Sequence, residues 1–195
     1  MADDEEAPPP TAWEGELTDK IPSGEGKMTF PNGDIFEGIY QDGMRNGAGK
    51  YTFVNGAVYE GEYRNNQKSG MGVLALADGA KYEGQWDNDC MHGEGTYTYA
   101  NGDIYCGTFQ YGKKSGEGSY YVKASMCQYC GTWEGGAFVQ GQWVLKDGSV
   151  YKGRFKDEKP VGQGSYLFKS SMNQHSGHWD KSGNWVQGKT VSLEV

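Results

Sequence analysis

Residues 59–72 read YEGEYRNNQKSGMG, and residues 82–95 read YEGQWDNDCMHGEG. Both stretches begin with an aromatic residue, carry a glycine and a second large aromatic residue at alternate positions, and end on a glycine pair. Residues two apart on a β-strand share a face, so Tyr59, Gly61 and Tyr63 lie on one face and the intervening glutamates on the other. A glycine between two rings leaves room for a neighbouring ring, which predicts a ladder of aromatic side chains.

The pattern recurs along the whole chain, and the first five units begin 23 residues apart. The units begin near Trp13, Phe36, Tyr59, Tyr82, Tyr105, Tyr129, Tyr151 and His175. The second strand of many units ends at Asn-Gly or Asp-Gly, dipeptides typical of tight hairpin turns with positive φ. Each unit is therefore predicted to be one β-hairpin. Because an isolated hairpin is marginally stable, neighbouring hairpins must pair with each other.

The predicted fold is all-β: a single-layer antiparallel array of about eight hairpins, forming an elongated, twisted and curved ribbon. Of the 195 residues 32 are glycine, which is costly inside helices and disfavours a helical fold. The array is expected over residues 13–188, after a disordered acidic and proline-rich leader (1–12) and before a C-terminal cap or tail (189–195). In the sixth unit, Trp143 is interpreted as replacing the second glycine of the pair.

The unit Y-x-G-x-(W/Y/F), followed by a loop and G-x-G, resembles the MORN repeat from Trp13 to about Gly188. Two later segments, YCGTWEGGAFVQGQ (129–142) and YKGRFKDEKPVGQGSYLF (151–168), resemble the C-terminal half of the radial spoke head 1 family. The resemblance leaves open which spoke head paralogue this is, and a short one of the spoke protein 10 kind is one candidate. This resemblance implies a non-enzymatic structural subunit of the axonemal radial spoke head, needed for ciliary and flagellar motility. It also implies that the protein is located in the cytoplasm and cytoskeleton, in the axoneme of cilia and flagella. The implied partners are other spoke head proteins, and central pair projections are further candidates.

The net charge of −8 makes nucleic acid and anionic membranes poor partners. MORN arrays have nevertheless been linked to phospholipids, so a phospholipid-binding or membrane-tethering module is one alternative function. An accessory scaffold for a separate enzyme is another. The first four units carry a row of acidic residues beside their first-strand glycines: Glu14, Glu16, Glu37, Glu60, Glu62 and Glu83. No nucleophile or base accompanies them, so they are interpreted as a solvated face or, alternatively, as a docking strip for a basic partner.

Catalytic, metal-binding and cofactor-binding residues are all expected to be absent. Cys127 and Cys130 have the spacing of a zinc ligand pair, but no second pair accompanies them. Cys106 and Cys130 are expected about 10 Å apart, two strands from each other, which is too far for a disulfide. Free thiols are therefore expected. His175 and His178 lie three apart on a strand and should point to opposite faces.

The aromatic face is the predicted partner-binding surface. A single-layer sheet cannot bury both faces by itself, so some rings should line a concave groove and stay half-exposed until a partner fills it. The candidate residues are Tyr59, Tyr63, Tyr82, Trp86, Tyr105, Phe109, Tyr129 and Trp133. The alternative is that the curved sheet lets these rings pack only on each other.

Overall fold

The computed structural model describes residues 12–193, so the predicted leader lies outside the described residues except for Ala12. Within this range the chain forms sixteen β-strands and no helix. The strands are β1 (Ala12–Thr18), β2 (Ile21–Thr29), β3 (Ile35–Gln41), β4 (Met44–Thr52), β5 (Val58–Arg64), β6 (Gln67–Ala75), β7 (Lys81–Asp87), β8 (Cys90–Thr98), β9 (Ile104–Gln110), β10 (Lys113–Val122), β11 (Cys127–Glu134), β12 (Ala137–Val144), β13 (Val150–Lys156), β14 (Lys159–Phe168), β15 (Asn173–Trp179) and β16 (Trp185–Ser192).

The strands form one open sheet in sequence order from β1 to β16. The all-β antiparallel array of about eight hairpins is thereby confirmed. Strand structure continues to Ser192, beyond the Gly188 at which the sequence analysis ended the repeats. The described residues divide into two compact parts, the N-terminal lobe (residues 12–91) and the C-terminal lobe (residues 92–193).

The two glycines of each pair have different structural roles. The first, at Gly70 in the third unit, has a φ of 61°. It lies in a bulge, because Gly72 pairs with Gly61 whereas Glu62 pairs with Ser69. The corresponding glycines of the other units also have positive φ: Gly24, Gly47, Gly93, Gly116 and Gly162. A residue with a side chain rarely adopts this conformation, which explains the glycine at this position.

The second glycine lies beneath an aromatic ring. The ring of Tyr59 lies over both Gly61 and Gly72, and a Cβ atom at either position would collide with its hydroxyl group. The hydroxyl extends past them and donates a hydrogen bond of 3.1 Å to the backbone oxygen of Glu62. The glycines therefore make room for the first ring of their own unit, rather than for a neighbour's ring as the sequence had suggested.

The second glycine of each pair and the glycine on the first strand of each unit alternate across adjacent strands and form a continuous row in each lobe. In the N-terminal lobe the row is Gly15, Gly26, Gly38, Gly49, Gly61, Gly72 and Gly84. In the C-terminal lobe it is Gly95, Gly107, Gly118, Gly131, Gly141, Gly153, Gly164 and Gly177. The interpretation of Trp143 as a replaced glycine is wrong, because Gly141 occupies that position in the row. The sixth unit instead has a shorter bulge, in which Val139 alone lies between the paired residues Phe138 and Gln140.

Two kinds of turn connect most of the strands. Two-residue turns with positive φ at both positions join the strands inside each of the first seven units, for example Asn65–Asn66 (φ 50° and 70°). The backbone twist of such turns matches the twist of the strands. The Asn-Gly and Asp-Gly dipeptides lie instead in the loops between units, where only the glycine has positive φ. In the first of these loops the N–H of Gly33 donates to the backbone oxygen of Phe30 at 2.9 Å.

Candidate binding surface

The predicted partner-binding rings form the hydrophobic core of each lobe. Tyr59, Tyr63, Tyr82, Trp86, Tyr105, Phe109 and Trp133 are at most 6% exposed, whereas Tyr129 is half-buried. The expectation of a half-exposed groove is therefore wrong for seven of the eight side chains. Their assignment to partner binding stays a prediction, and it now requires a ring to become exposed first.

The rings cover each other because the second aromatic residue of one unit packs on the first aromatic residue of the preceding unit. In the N-terminal lobe, the ring centroids of Phe36 and Tyr63 are 5.2 Å apart and the ring planes are nearly perpendicular. In the C-terminal lobe, Tyr105 and Trp133 repeat this geometry at 5.3 Å. Edge-to-face pairs of this kind are favourable because the positive ring edge meets the negative ring face. This contact links neighbouring hairpins and explains how one sheet buries its own aromatic face.

Long cationic side chains complete the cover of the N-terminal aromatic face. The guanidinium carbon of Arg45 lies 4.9 Å from the ring centroid of Tyr63, and the Nζ of Lys68 lies 5.2 Å from that of Trp86. Burial lowers the pKa of Lys68. The cations are attracted to the ring faces while their stems cover apolar surface.

The same arrangement occurs in the C-terminal lobe around Lys114. Its Nζ lies 4.2 Å from the ring centroid of Trp133 and 4.5 Å from that of Tyr120. Burial lowers the pKa of Lys114 as well. The space over the rings is thus occupied by the chain's own residues.

Hydrogen bonds hold the cationic residues in place. The backbone N–H of Arg45 donates to Oδ1 of Asn66 at 2.8 Å, and the N–H of Asn66 donates back to the backbone oxygen of Arg45 at 2.9 Å. Lys68 and Asp89 make the same reciprocal pair one unit later, at 2.9 and 3.1 Å. The tight turn of each of these units is therefore fastened to the preceding unit.

Two buried carboxylates hold the opposite ends of the hairpins together, and neither is among the candidate residues predicted from the sequence. Asp34 is 6% exposed and accepts hydrogen bonds from the Tyr51 hydroxyl (2.8 Å), the Val54 N–H (2.9 Å) and the Asn32 amide (2.8 Å). Burial by itself raises the pKa of Asp34, but the hydrogen bonds from Val54, Tyr51 and Asn32 outweigh it and lower the pKa below its usual value.

Asp103 in the C-terminal lobe has the same environment. It accepts hydrogen bonds from the Tyr120 hydroxyl and the Lys123 N–H, both at 2.9 Å. Its pKa is also lowered, because these bonds outweigh the effect of burial. The sequence does carry a sign of both residues: Asn-Gly-Asp occurs at residues 32–34 and 101–103, whereas alanine follows Asn-Gly or Asp-Gly at Ala57 and Ala80.

The face opposite the rings carries an open groove in the N-terminal lobe, with a cavity volume of about 920 Å³. Along its floor, charged residues alternate from strand to strand in the order Glu14, Lys27, Glu37, Lys50 and Glu60. Glu25 and Glu62 also line the groove, so five carboxylates face two ammonium groups. We call this surface the charged groove. None of the buried rings lines it.

The corresponding row of the C-terminal lobe has a different chemistry. It consists of Thr96, Cys106, Ser119, Cys130, Gln142, Lys152, Ser165 and Ser176. This row of the C-terminal lobe therefore carries no carboxylate, in contrast to the N-terminal row.

The cysteine and histidine predictions concern strands β9, β11 and β15. Cys106 and Cys130 lie on β9 and β11 with β10 between them, as the spacing argument required, and the redox state of the thiols stays a prediction. His175 and His178 occupy odd and even positions of β15 and therefore opposite faces.

Within residues 12–193, no group of three or more His, Cys, Asp and Glu side chains could hold a metal ion. In the same range no helix is long and apolar enough to cross a membrane.

Comparison with solved structures gives distant likenesses. The TCP domain of SAS-4 (dCPAP) of Drosophila melanogaster, in complex with a proline-rich motif of Ana2 (dSTIL), is 14% identical with a TM-score of 0.46; the alignment covers 97% of this chain and 96% of that one. The wild-type TCP10 domain of Danio rerio CPAP is 15% identical over 92% of this chain and 95% of its own, with a TM-score of 0.29. Likenesses at this level support no argument about function. No curated protein sequence matches the chain significantly.

Comparison with protein families gives a direct match to the repeat. The MORN repeat matches residues 13–35, 36–58, 59–81, 82–104, 105–122 and 151–172. Two further hairpins, β11–β12 and β15–β16, lie largely outside these matches and pair into the same sheet. The matches cover more than half of the chain and coincide with the hairpin units described above. The chain therefore belongs to the MORN repeat family.

Proposed function

We propose that this protein is a non-enzymatic scaffold subunit of the axonemal radial spoke head, where it binds other spoke head proteins. Central pair projections are further candidate partners, and the protein would work in the cytoskeleton of motile cilia and flagella. Membership of the MORN repeat family supports a scaffold, and the likeness of residues 129–142 and 151–168 to the radial spoke head 1 family supports the place. No catalytic step is part of this proposal.

The charged groove is the observation that carries the scaffold function. The groove lies on one face of the sheet, and the opposite face is covered by packed rings and by the side chains of Arg45 and Lys68. This packing holds the strands beneath the groove in place. A rigid surface loses little conformational entropy when a partner binds. Its excess of carboxylates favours a partner with a basic segment, because complementary charges speed association and determine specificity.

The proposal is tested in a ciliated cell in which the native gene is replaced by tagged variants. The intact protein should localise to the axoneme, cross-link to spoke head proteins and support motility. Replacing Glu37 and Glu60 by lysine should abolish these cross-links while the protein stays folded. The matched control is Glu117→Lys with Glu134→Lys, which makes the same charge change on exposed residues of the C-terminal lobe.

Two results would overturn the spoke head proposal. One is normal spoke heads and motility in cells that lack the protein. The other is specific capture of phosphoinositide vesicles in a flotation assay at physiological salt, which would favour the phospholipid-binding alternative.

A further inference from the structure

We infer that the two edges of the sheet are complementary, so that β16 of one copy pairs with β1 of a second copy and the protein associates head to tail. Within residues 12–193, β1 has β2 as its only neighbour and β16 has only β15. An edge strand presents unpaired backbone N–H and C=O groups and is a template for another strand. This inference does not depend on the spoke head proposal.

Residues on β1 indicate that a preceding unit would fit there. Tyr40 and Tyr63 are about 5% exposed, and Tyr63 owes its burial to the ring of Phe36 in the unit before it. Leu17 occupies the corresponding position of the first unit and is 58% exposed. The apolar surface that a preceding unit would cover is therefore open at this edge.

Residues on β16 match the strand that precedes each new unit. The sequence Gly188-Lys189-Thr190 corresponds to Gly26-Lys27-Met28 on β2 and to Gly49-Lys50-Tyr51 on β4. The register agrees at Thr190, which pairs with His175 as Tyr51 pairs with Phe36. It then shifts, so that Gln187 rather than Gly188 pairs with Gly177. At each internal junction the second strand of one unit pairs with the first strand of the next unit. β16 thus resembles the second strand of such a pair.

The charges of the two edges are complementary in the same register. At the junction of β4 with β5, Gly49 pairs with Gly61 and Lys50 with Glu60. The same pairing between copies places Gly188 opposite Gly15 and Lys189 opposite Glu14. It sets a glycine opposite Gly15 and continues the alternation of glutamate and lysine, although the glycine row itself is interrupted on β16, where Gln187 pairs with Gly177. Opposite charges directly across a strand pair are favourable, and like charges are unfavourable.

The pairing would also cover the exposed leucine. In the register of the internal junctions, the second large residue of a unit packs on the first residue of the preceding unit. Leu17 would then lie against His175 of the second copy. Thr190 is smaller than the Tyr51 or Met28 at internal junctions, so the contact between copies should be weaker than the contact inside the chain.

Sedimentation velocity of the purified full-length chain over a wide range of concentration tests the association. The intact protein should form dimers and longer species as its concentration rises. Lys189→Glu and Glu14→Lys, each alone, should weaken association about tenfold, and the double charge swap should restore it. Lys181→Glu, at an exposed residue outside β16, is the control and should leave association unchanged. Circular dichroism confirms that each variant is folded.

Disulfide trapping tests the register. A variant with Glu14→Cys and Lys189→Cys should give a ladder of linked species on mild oxidation. Mixing the two single variants should give mainly the mixed dimer. The unchanged protein gives the background from its native cysteines. The inference is overturned if the protein stays monomeric, if charge reversal at both positions has no effect, or if Lys189→Cys alone links as efficiently as the mixture.

Discussion

The hydroxyl group of Tyr51 donates a hydrogen bond of 2.8 Å to the buried carboxylate of Asp34, which precedes it by seventeen residues. The same carboxylate accepts a hydrogen bond from the N–H of Val54 in the loop after β4. One side chain therefore joins the loop before β3 to the loop after β4. This contact holds neighbouring parts of the array in register at the end opposite the tight turns.

Replacing Asp34 by alanine should destabilise the N-terminal lobe by about 1–3 kcal/mol, because the Tyr51 hydroxyl and the Val54 N–H lose their acceptor in a buried place. Asp34→Asn, which keeps one acceptor oxygen, should cost less. Asp87→Ala, at an exposed aspartate, is the control. Denaturant unfolding measures the free energies. Equal effects of Asp34→Ala and Asp87→Ala would contradict the structural role of the buried carboxylate.

The stability of the protein should fall in acid through Asp34 and Asp103. Their folded pKa values are lowered, so the stability that they contribute is present above the unfolded pKa of about 3.9 and is lost as pH falls through the folded pKa. A double variant, Asp34→Asn with Asp103→Asn, should start from a lower melting temperature and lose less of it between neutral pH and acid. Thermal melts followed by circular dichroism along a pH series measure this. Parallel curves for the two proteins would show that these carboxylates do not cause the acid sensitivity.

Adding even a single methyl group to a glycine of the row should destabilise the fold. Gly72→Ala places a Cβ against the ring of Tyr59, and overpacking of this kind typically costs about 1–3 kcal/mol. In a Tyr59→Leu background the same change should cost much less, because the ring is gone. A double-mutant cycle by chemical denaturation measures the coupling between the two positions. Additive costs would mean that Gly72 is required for another reason.

Substitutions of the tryptophans on the aromatic face should lower the stability of the fold, and any loss of assembly should follow from that loss of stability. Trp86→Leu and Trp133→Leu leave cavities among packed rings and should each destabilise the fold by about 2–4 kcal/mol. Tyr111→Leu is the control, because Tyr111 is 74% exposed. Melting temperatures and spoke head incorporation are compared for all three variants. Loss of incorporation by a Trp86 or Trp133 variant that melts like the intact protein would instead restore these rings as a partner-binding site.

The sequence by itself determined the sheet. Alternation with a period of two assigns Tyr59 and Tyr63 to one face and Glu60 to the other, and the regular spacing of the glycines determines which hairpins are neighbours. Both features are local or strictly periodic, so they can be read without knowing which distant residues meet. The row of glutamates in the charged groove can be read from the sequence for the same reason. Its alternation with Lys27 and Lys50 becomes clear only when adjacent strands are placed side by side.

Only the tertiary structure decided whether the aromatic face is open or closed. Closure depends on Arg45, Lys68 and Lys114, which the sequence does not mark as covering the rings, and on edge-to-face contacts between rings more than twenty residues apart. The roles of Asp34 and of the two glycines in each pair were hidden likewise, because they depend on the bulge and on the loop of the next unit. The physical reason is that burial and hydrogen-bond satisfaction are properties of neighbours in space, whereas periodicity is a property of neighbours in sequence.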